Sequence, residues 1–234
     1  MILGSIGLGI LVAVMCAILV LIGRRERATI RKQRAAIFDD CLPGFDDYRI
    51  TQDSVDYPVI EGSLRGRRLL LEPVVDAVTF RKLPVLWLRV TLLEPLRIGA
   101  ALSFLVRPQG TEFWSPSAEL RHRLPIPAGW PEHALLRSDR EDVANPVSSL
   151  GPHVKDFFSD LRAKEIAVSP RGVRLVYQLD QARRSNYLVL RTSLFDQATV
   201  TLALLTALTE RAVAIHEALD DGATMPVRET ANAC

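Results

Sequence analysis

The residues best suited to carry chemistry in this chain are its four histidines, His122, His133, His153 and His216. Glu119 and His122 stand three apart, the spacing by which one helix offers a carboxylate and an imidazole to a metal ion, and His133 follows. That chemistry needs a helix to bring positions i and i+3 onto one face. The surrounding "SPSAELRHRLPIPAGWPEH" (115–133) holds four prolines, which confine any helix to about a turn. No second E-x-x-H pair is present, so the segment reads as a solvated loop and no metal is expected. "SDRED" (138–142) gathers three acids, but without the spacing of a calcium loop and with Arg137 and Arg140 beside them. His216, next to Glu217, falls near the end of a long helical pattern, where a cation complements the helix dipole.

Other catalytic signatures are missing from the sequence. There is no G-x-S-x-G, no P-loop, no dinucleotide-binding glycine fingerprint and no locally supported Cys–His pair. The three cysteines, Cys16, Cys41 and Cys234, match neither a disulfide framework nor a zinc site. The sequence therefore implies no cofactor and no local catalytic centre. An enzyme built on this chain would assemble its site from distant loops, and the loop 109–146, with His122, His133, Asp139 and Glu141, is the first place to look.

The strongest pattern is electrostatic. Residues 1–23 carry no charged side chain, and Ser5 is their only polar one. Immediately after Gly23 come Arg24, Arg25, Arg27, Arg31, Lys32 and Arg34, opposed by Glu26 alone. Residues 1–34 are thus +5, and since the whole chain is +2, residues 35–234 are −3. A near-neutral, slightly acidic domain lacks the footprint of a nucleic-acid binder. As a helix, the uncharged stretch would reach about 34 Å at ~1.5 Å per residue, enough for a hydrocarbon core of ~30 Å. It has no charged n-region and no small-x-small cleavage site ahead of a plausible mature start, so it reads as an anchor and not as a leader. Lys and Arg stay on the cytoplasmic side during insertion. The expected topology is a single pass in the inner (plasma) membrane, with the N-terminus outside and the C-terminal domain in the cytoplasm. The six basic residues also suit contact with anionic headgroups. Ser5, Gly9, Ala13 and Ala17 recur every four residues, a small-residue stripe by which another membrane helix could approach closely.

Those features must be carried by a folded domain. The expected boundaries are a transmembrane helix over 1–23, a basic juxtamembrane helix and linker over 24–44, a folded domain over 45–222 and a tail over 223–234. "DDCLPGFDDY" (39–48) reads as a break. "YPVIEGSL" and "RRLLLEPVV" read as a hairpin turning at Gly66, and 83–93 and 99–108 as strands. In the first of these, Leu86, Leu88, Val90 and Leu92 form the core side. "ALLRSD" reads as a short strand, 139–152 as a loop and "HVKDFFSDLRAKEI" (153–166) as an amphipathic helix through Val154, Phe157, Phe158 and Leu161. "EIAVS" and "VRLVYQL" read as a hairpin turning at Gly172, and "NYLVLRTSLF" as a further strand. Asp196 would cap a long C-terminal helix carrying Leu202, Leu205, Leu208, Ala212, Ile215 and Leu219 at spacings of three and four. The fold class is α+β, with antiparallel strands, a mid-chain helix and a long C-terminal helix packed on the sheet.

Arginines cluster at several turns, at 65, 67 and 68, at 171 and 174, and at 183 and 184, with Arg81 and Lys82 before a strand. Gathered at one end of the sheet, they would form a rim for lipid phosphates or an acidic partner. Trp114 and Trp130, in the Pro-rich segment, suit either a partner anchor or a lid on the core. The layout is similar to that of many single-pass bacterial proteins with a short outer tail. The function expected is a non-enzymatic accessory or assembly subunit of a membrane-associated complex, its partners being the lipid bilayer and other membrane proteins or further copies of itself, and not nucleic acid. The alternatives are a membrane-tethered enzyme with a non-local site and an anionic lipid- or ligand-sensing module.

Overall fold

Arg65 and Gly66 both adopt left-handed backbone angles, with φ of 51° and 76°, as the two-residue turn of a tight hairpin requires. They join β2 (Val59–Leu64) to β3 (Arg67–Asp76), as the sequence leads one to expect. The computed structural model of the chain describes residues 2–77, 83–182, 195 and 198–224; for 2–10, 12, 13, 223 and 224 it describes the backbone only. Seven further strands complete the sheet: β1 (Asp47–Thr51), β4 (Val85–Leu92), β5 (Leu102–Val106), β6 (His122–Leu124), β7 (Ala134–Ser138), β8 (Ala163–Ser169) and β9 (Gly172–Gln181). Their order is β1-β2-β3-β4-β9-β8-β5-β7-β6, and every neighbouring pair is antiparallel. Among the described residues three α-helices accompany them: α1 (Ile2–Ala35), α2 (Ala144–Phe157) and α3 (Leu202–Thr224). The domain is α+β.

Alternation decides which face is covered. Leu86, Leu88, Val90 and Leu92 are all fully buried, on the side expected. With Leu69, Leu71, Leu175 and Phe104 they meet Leu150, Val154 and Phe157 of α2 and Leu205, Leu208, Ala212, Ile215 and Leu219 of α3 in one core. The 3.6-residue period of α3 therefore marks its buried stripe. Thr201 Oγ1 and Asp40 Oδ2 accept from the first amides of α3, Leu204 N and Leu202 N. The expected cap, Asp196, lies outside the described residues, as does the strand expected at 186–195 apart from Phe195. The opposite face of the sheet carries a second, smaller cluster of Trp87, Leu105, Trp114 and Val176.

Three expectations are corrected. The loop expected over 139–152 is mostly α2, which holds Pro152 in its interior; burial of Leu150, Val154 and Phe157 outweighs the breaker residues. The helix expected over 153–166 ends at Phe157, leaving Leu161 81% exposed, and Ala163 onward is strand because it pairs with β9. The break over 39–48 contains a turn at Leu42–Gly44 and then the start of an edge strand, β1.

α1 is continuous for 34 residues, about 51 Å at ~1.5 Å per residue. Among the described residues no helix is long and apolar enough to cross a membrane. The span expected over 1–23 takes in residues 2–10, 12 and 13, whose side chains lie outside the described set.

Candidate functional site: the helix-to-domain junction

The end of α1 is fastened to the domain by its own arginines. Arg31 donates through Nε to Gln52 Oε1 and through Nη2 to the Gln52 carbonyl, both at 3.4 Å, while Gln52 Nε2 donates back to the Arg31 carbonyl at 3.1 Å. Arg34 Nη1 donates to the Val55 carbonyl at 2.8 Å, and its guanidinium lies 4.9 Å from the centre of the Tyr57 ring. Burial pushes the Tyr57 hydroxyl above its ordinary range, although Arg34 pulls the other way. One turn further on, Ile37 and Phe38 enter the core, 2% and 0% exposed. The Ile37 carbonyl accepts from Val200 N at 2.8 Å, and Asp40 caps α3 at 3.2 Å. Cys41 is fully buried, with Sγ donating to the Phe38 carbonyl at 3.3 Å, and burial pushes its thiol up to about 12. It is an inert core residue, closed to modification while folded. Helix, turn and core are thus one continuous unit.

Outward from this junction the character of α1 changes. Arg24, Arg25, Arg27 and Lys32 are exposed, and among the described residues their side chains make no hydrogen bond or ion pair. Arg31 and Arg34 are committed to the domain. Beyond Gly23, Val14, Met15, Ile18, Leu19, Val20, Leu21 and Ile22 are each 48–62% exposed. These positions run through consecutive residues, so apolar surface lies on every side of the helix. Of the small-residue stripe, Ala17 is exposed, while the side chains of Ser5, Gly9 and Ala13 lie outside the described residues.

Among the described residues the arginine turn at 65–68 is neutralised by acids, while Arg171 is exposed. Arg65 meets Glu210 at 3.5 Å, Arg67 meets Glu94 at 2.8 Å and Glu217 at 3.4 Å, and Arg68 meets Glu61 at 2.8 Å. Arg174 donates to Thr91 Oγ1 at 3.2 Å. Arg81, Lys82, Arg183 and Arg184 lie outside the described residues. Exposed pairs of this kind contribute little stability each, but at the 65–68 turn they offset the positive field that a phosphate rim would need.

The histidine and acid constellation is only partly assembled. His122 Nδ1 lies 3.1 Å from Glu141 Oε1, because β6 pairs with β7 and places His122 opposite Ser138. Asp139 is used locally, accepting from Ala101 N at 2.8 Å, and His133 is exposed. Glu119 ends a single helical turn and does not share a helix with His122. Among the described residues no group of three possible ligands could hold a metal ion. His216 Nε2 lies 3.0 Å from the Pro95 carbonyl.

Sequence reasoning missed a buried polar cluster on the sheet face away from α2 and α3. Ala163 pairs with Tyr177 and Glu165 with Val176, so Lys164 is the extra residue of a β-bulge. Lys164 Nζ lies 2.9 Å from Glu112 Oε1, 2.8 Å from the Arg107 carbonyl and 5.7 Å from the Trp87 ring centre. Glu165 Oε1 accepts from Ser103 Oγ at 2.6 Å and Ser115 Oγ at 2.5 Å, while its Oε2 has no partner among the described residues. Burial raises the Glu165 carboxyl above its ordinary range, against the two serine hydrogen bonds and the charge of Arg174. Burial also works against the Glu112 carboxylate, but the bond to Lys164 outweighs it and the net shift is downward. Together these contacts pin the 107–118 segment onto the sheet, where Trp114 packs on Trp87 with ring centres 5.6 Å apart. Ser103, Ser115, Lys164 and Glu165 are all buried, so the cluster is closed to substrate as it stands and acts as a clamp. No local signal announces it: a bulge leaves no mark in the sequence, and its members come from 62 positions of chain.

The Pro-rich segment and α2 enclose a cleft of about 600 Å³ lined by Leu124, Ile126, Trp130, Leu136, Val143 and Val147, among others. Trp130 packs edge-on against Phe104 at 4.8 Å, so both tryptophans of this region lid the core.

No protein-family model matches the chain, and no curated protein is significantly similar to it. A solved structure, that of the mycobacterial trehalose monomycolate transport factor A, is similar over 87% of this chain and 96% of its own, at 12% identity and a TM-score of 0.35. A likeness of that depth carries no functional inference.

Proposed function

We propose that this chain is a single-pass, membrane-anchored, non-enzymatic accessory or assembly subunit, whose α+β domain stands at the cytoplasmic face of the inner (plasma) membrane. The observation that carries the reading is α1. Its apolar surface is exposed on all sides from Val14 to Ile22, which water disfavours at about 25 cal/mol per Å², and a helix apolar all round belongs in a protein core or a bilayer. The same helix passes through an unpaired arginine cluster and enters the domain core at Ile37 and Phe38. The anchor therefore fixes how the domain is presented, as a positioning subunit requires. Arg24, Arg25, Arg27 and Lys32 supply the cytoplasmic charge bias and the contacts to anionic headgroups, while Arg31 and Arg34 hold the domain. Ser5, Gly9, Ala13 and Ala17 supply a face for a neighbouring membrane helix. Solubilising the full chain in mild detergent and measuring its mass tests the accessory role. The expected result is a species heavier than one chain, from a co-purifying membrane protein or a further copy; a bare monomer with no companion would contradict it.

A further inference from the structure

The two edges of the nine-stranded sheet are treated differently. One edge, β6, is three residues long and is followed at once by Pro125 and by Pro127, a device that blocks further strand pairing. The other, β1, is Asp47–Thr51, contains no proline, and is exposed at all five positions. Tyr48 and Ile50 are 49% and 43% exposed on the side where Ile50 pairs with the buried Ile60. The strand is held firmly. Tyr48 sits opposite Gly62, where a Cβ would lie 2.9 Å from Tyr48 Cβ, and Gln52 is tied to Arg31. On the opposite side Asp47 and Arg49 stand two residues apart; Arg49 lies across the ladder from Glu61, whose carboxylate is taken by Arg68 at 2.8 Å, and among the described residues neither Asp47 nor Arg49 has an ion-pair partner.

We infer that β1 is the surface through which two copies of this chain pair, antiparallel and edge to edge, in a register centred on Tyr48. Identical antiparallel strands related by a two-fold axis can meet only in registers that keep each face with its like, because the side-chain period is two. Centred on Arg49, the pairing sets arginine against arginine. Centred on Ile50, it sets Arg49 against Thr51 and Asp47 against Asp53. Centred on Tyr48, it sets Asp47 against the partner subunit's Arg49 and Arg49 against the partner subunit's Asp47, and lays the two Tyr48 rings together. Only this register gives both free charges a partner of opposite sign, and cross-strand pairs of this kind are stabilising where like pairs are not. Charges on an edge strand commonly keep edges apart; here their opposite signs and two-residue spacing select a register instead. The pairing does not depend on the membrane reading, although two chains anchored in one membrane would meet at a raised effective concentration.

Oxidative cross-linking of the full chain in detergent, with Cys16→Ser and Cys234→Ser to remove the other reactive thiols, decides it. Directly opposed residues of an antiparallel pair have Cα atoms ~4.5–5.5 Å apart, within disulfide reach. In the Tyr48-centred register two Ile50 positions are more than ~13 Å apart along the strand, at ~3.3 Å per residue. Tyr48→Cys should therefore give a disulfide-linked dimer, and Ile50→Cys none. In the Tyr48→Cys background, Arg49→Asp should cut dimer yield about tenfold, and the double change Asp47→Arg with Arg49→Asp should restore it. Failure of Tyr48→Cys to cross-link, equal yield from Ile50→Cys, or no rescue by the double change would each overturn the inference. Recovery of all these variants in the membrane fraction reports on the anchor separately.

Discussion

At the scale of single residues, Glu165 shows what its surroundings dictate. Its carboxyl is fully buried, accepts two serine hydroxyls on one oxygen and, among the described residues, leaves the other without a partner. Burial holds its folded value above the ordinary glutamate range. The unfolded chain therefore gives up this proton at a lower pH than the folded one. The stability it contributes is fully present below the ordinary value and is lost as pH rises through the raised one. Glu165→Gln keeps the shape and the serine bonds while removing the charge. Urea unfolding of the two proteins across pH 4–8 should show the variant gaining on the parent as pH rises, by on the order of 1 kcal/mol at neutral pH. A constant difference across that range would assign Glu165 an ordinary, ionised state. Nothing in "AKEIAVS" foretold this role. The serines that complete the site lie 62 and 50 positions away, and only the sheet order brings them together.

At the scale of elements, the legible parts were those whose periodicity coincides with their burial. Leu86, Leu88, Val90 and Leu92 alternate, and all are buried; Leu205, Leu208, Ala212, Ile215 and Leu219 recur at helical spacing, and all are buried. The Arg65–Gly66 and Gly172 turns were equally readable, because each demands unusual backbone angles. The part of α2 before His153 was missed because Pro146, Gly151 and Pro152 read as breakers, whereas three buried side chains on one face hold the helix together. β1 was missed because its residues show no buried alternation at all. The junction was invisible for a different reason: "RKQRAAIF" reads as a plain helix, and only the fold shows Arg31 and Arg34 turning back onto Gln52 and Val55. This element carries its own prediction. Phe38→Ala, which empties a fully buried site linking α1 to the core, should destabilise the domain by about 3–5 kcal/mol in chemical unfolding, whereas Arg24→Ala should leave unfolding unchanged. Equal effects from the two would mean that α1 is not part of the domain's cooperative unit.

At the scale of the whole molecule, charge and apolar surface are arranged along one axis. An uncharged N-terminal stretch leads into free arginines, these into arginines spent on the domain, and these into a slightly acidic α+β body. The basic turn at 65–68 is already paired with acids of the body, whereas Arg24, Arg25, Arg27 and Lys32 of α1 are exposed and, among the described residues, unpaired. The buried clamp pins the 107–118 segment onto the sheet, and β1 leaves one edge of that sheet exposed.

The most direct test uses the thiol at Cys234 and a membrane-impermeant reagent, applied to intact cells and to lysed cells, with the labelled chain read in the membrane pellet. Cys16 is exposed and is replaced by Ser for this test, whereas Cys41 is sealed in the core with its thiol pushed up to about 12 and stays silent in the folded protein. A cytoplasmic domain on a single-pass anchor requires labelling only after lysis, with the protein in the pellet. Labelling in intact cells would put the domain outside, and recovery in the supernatant would remove the anchor.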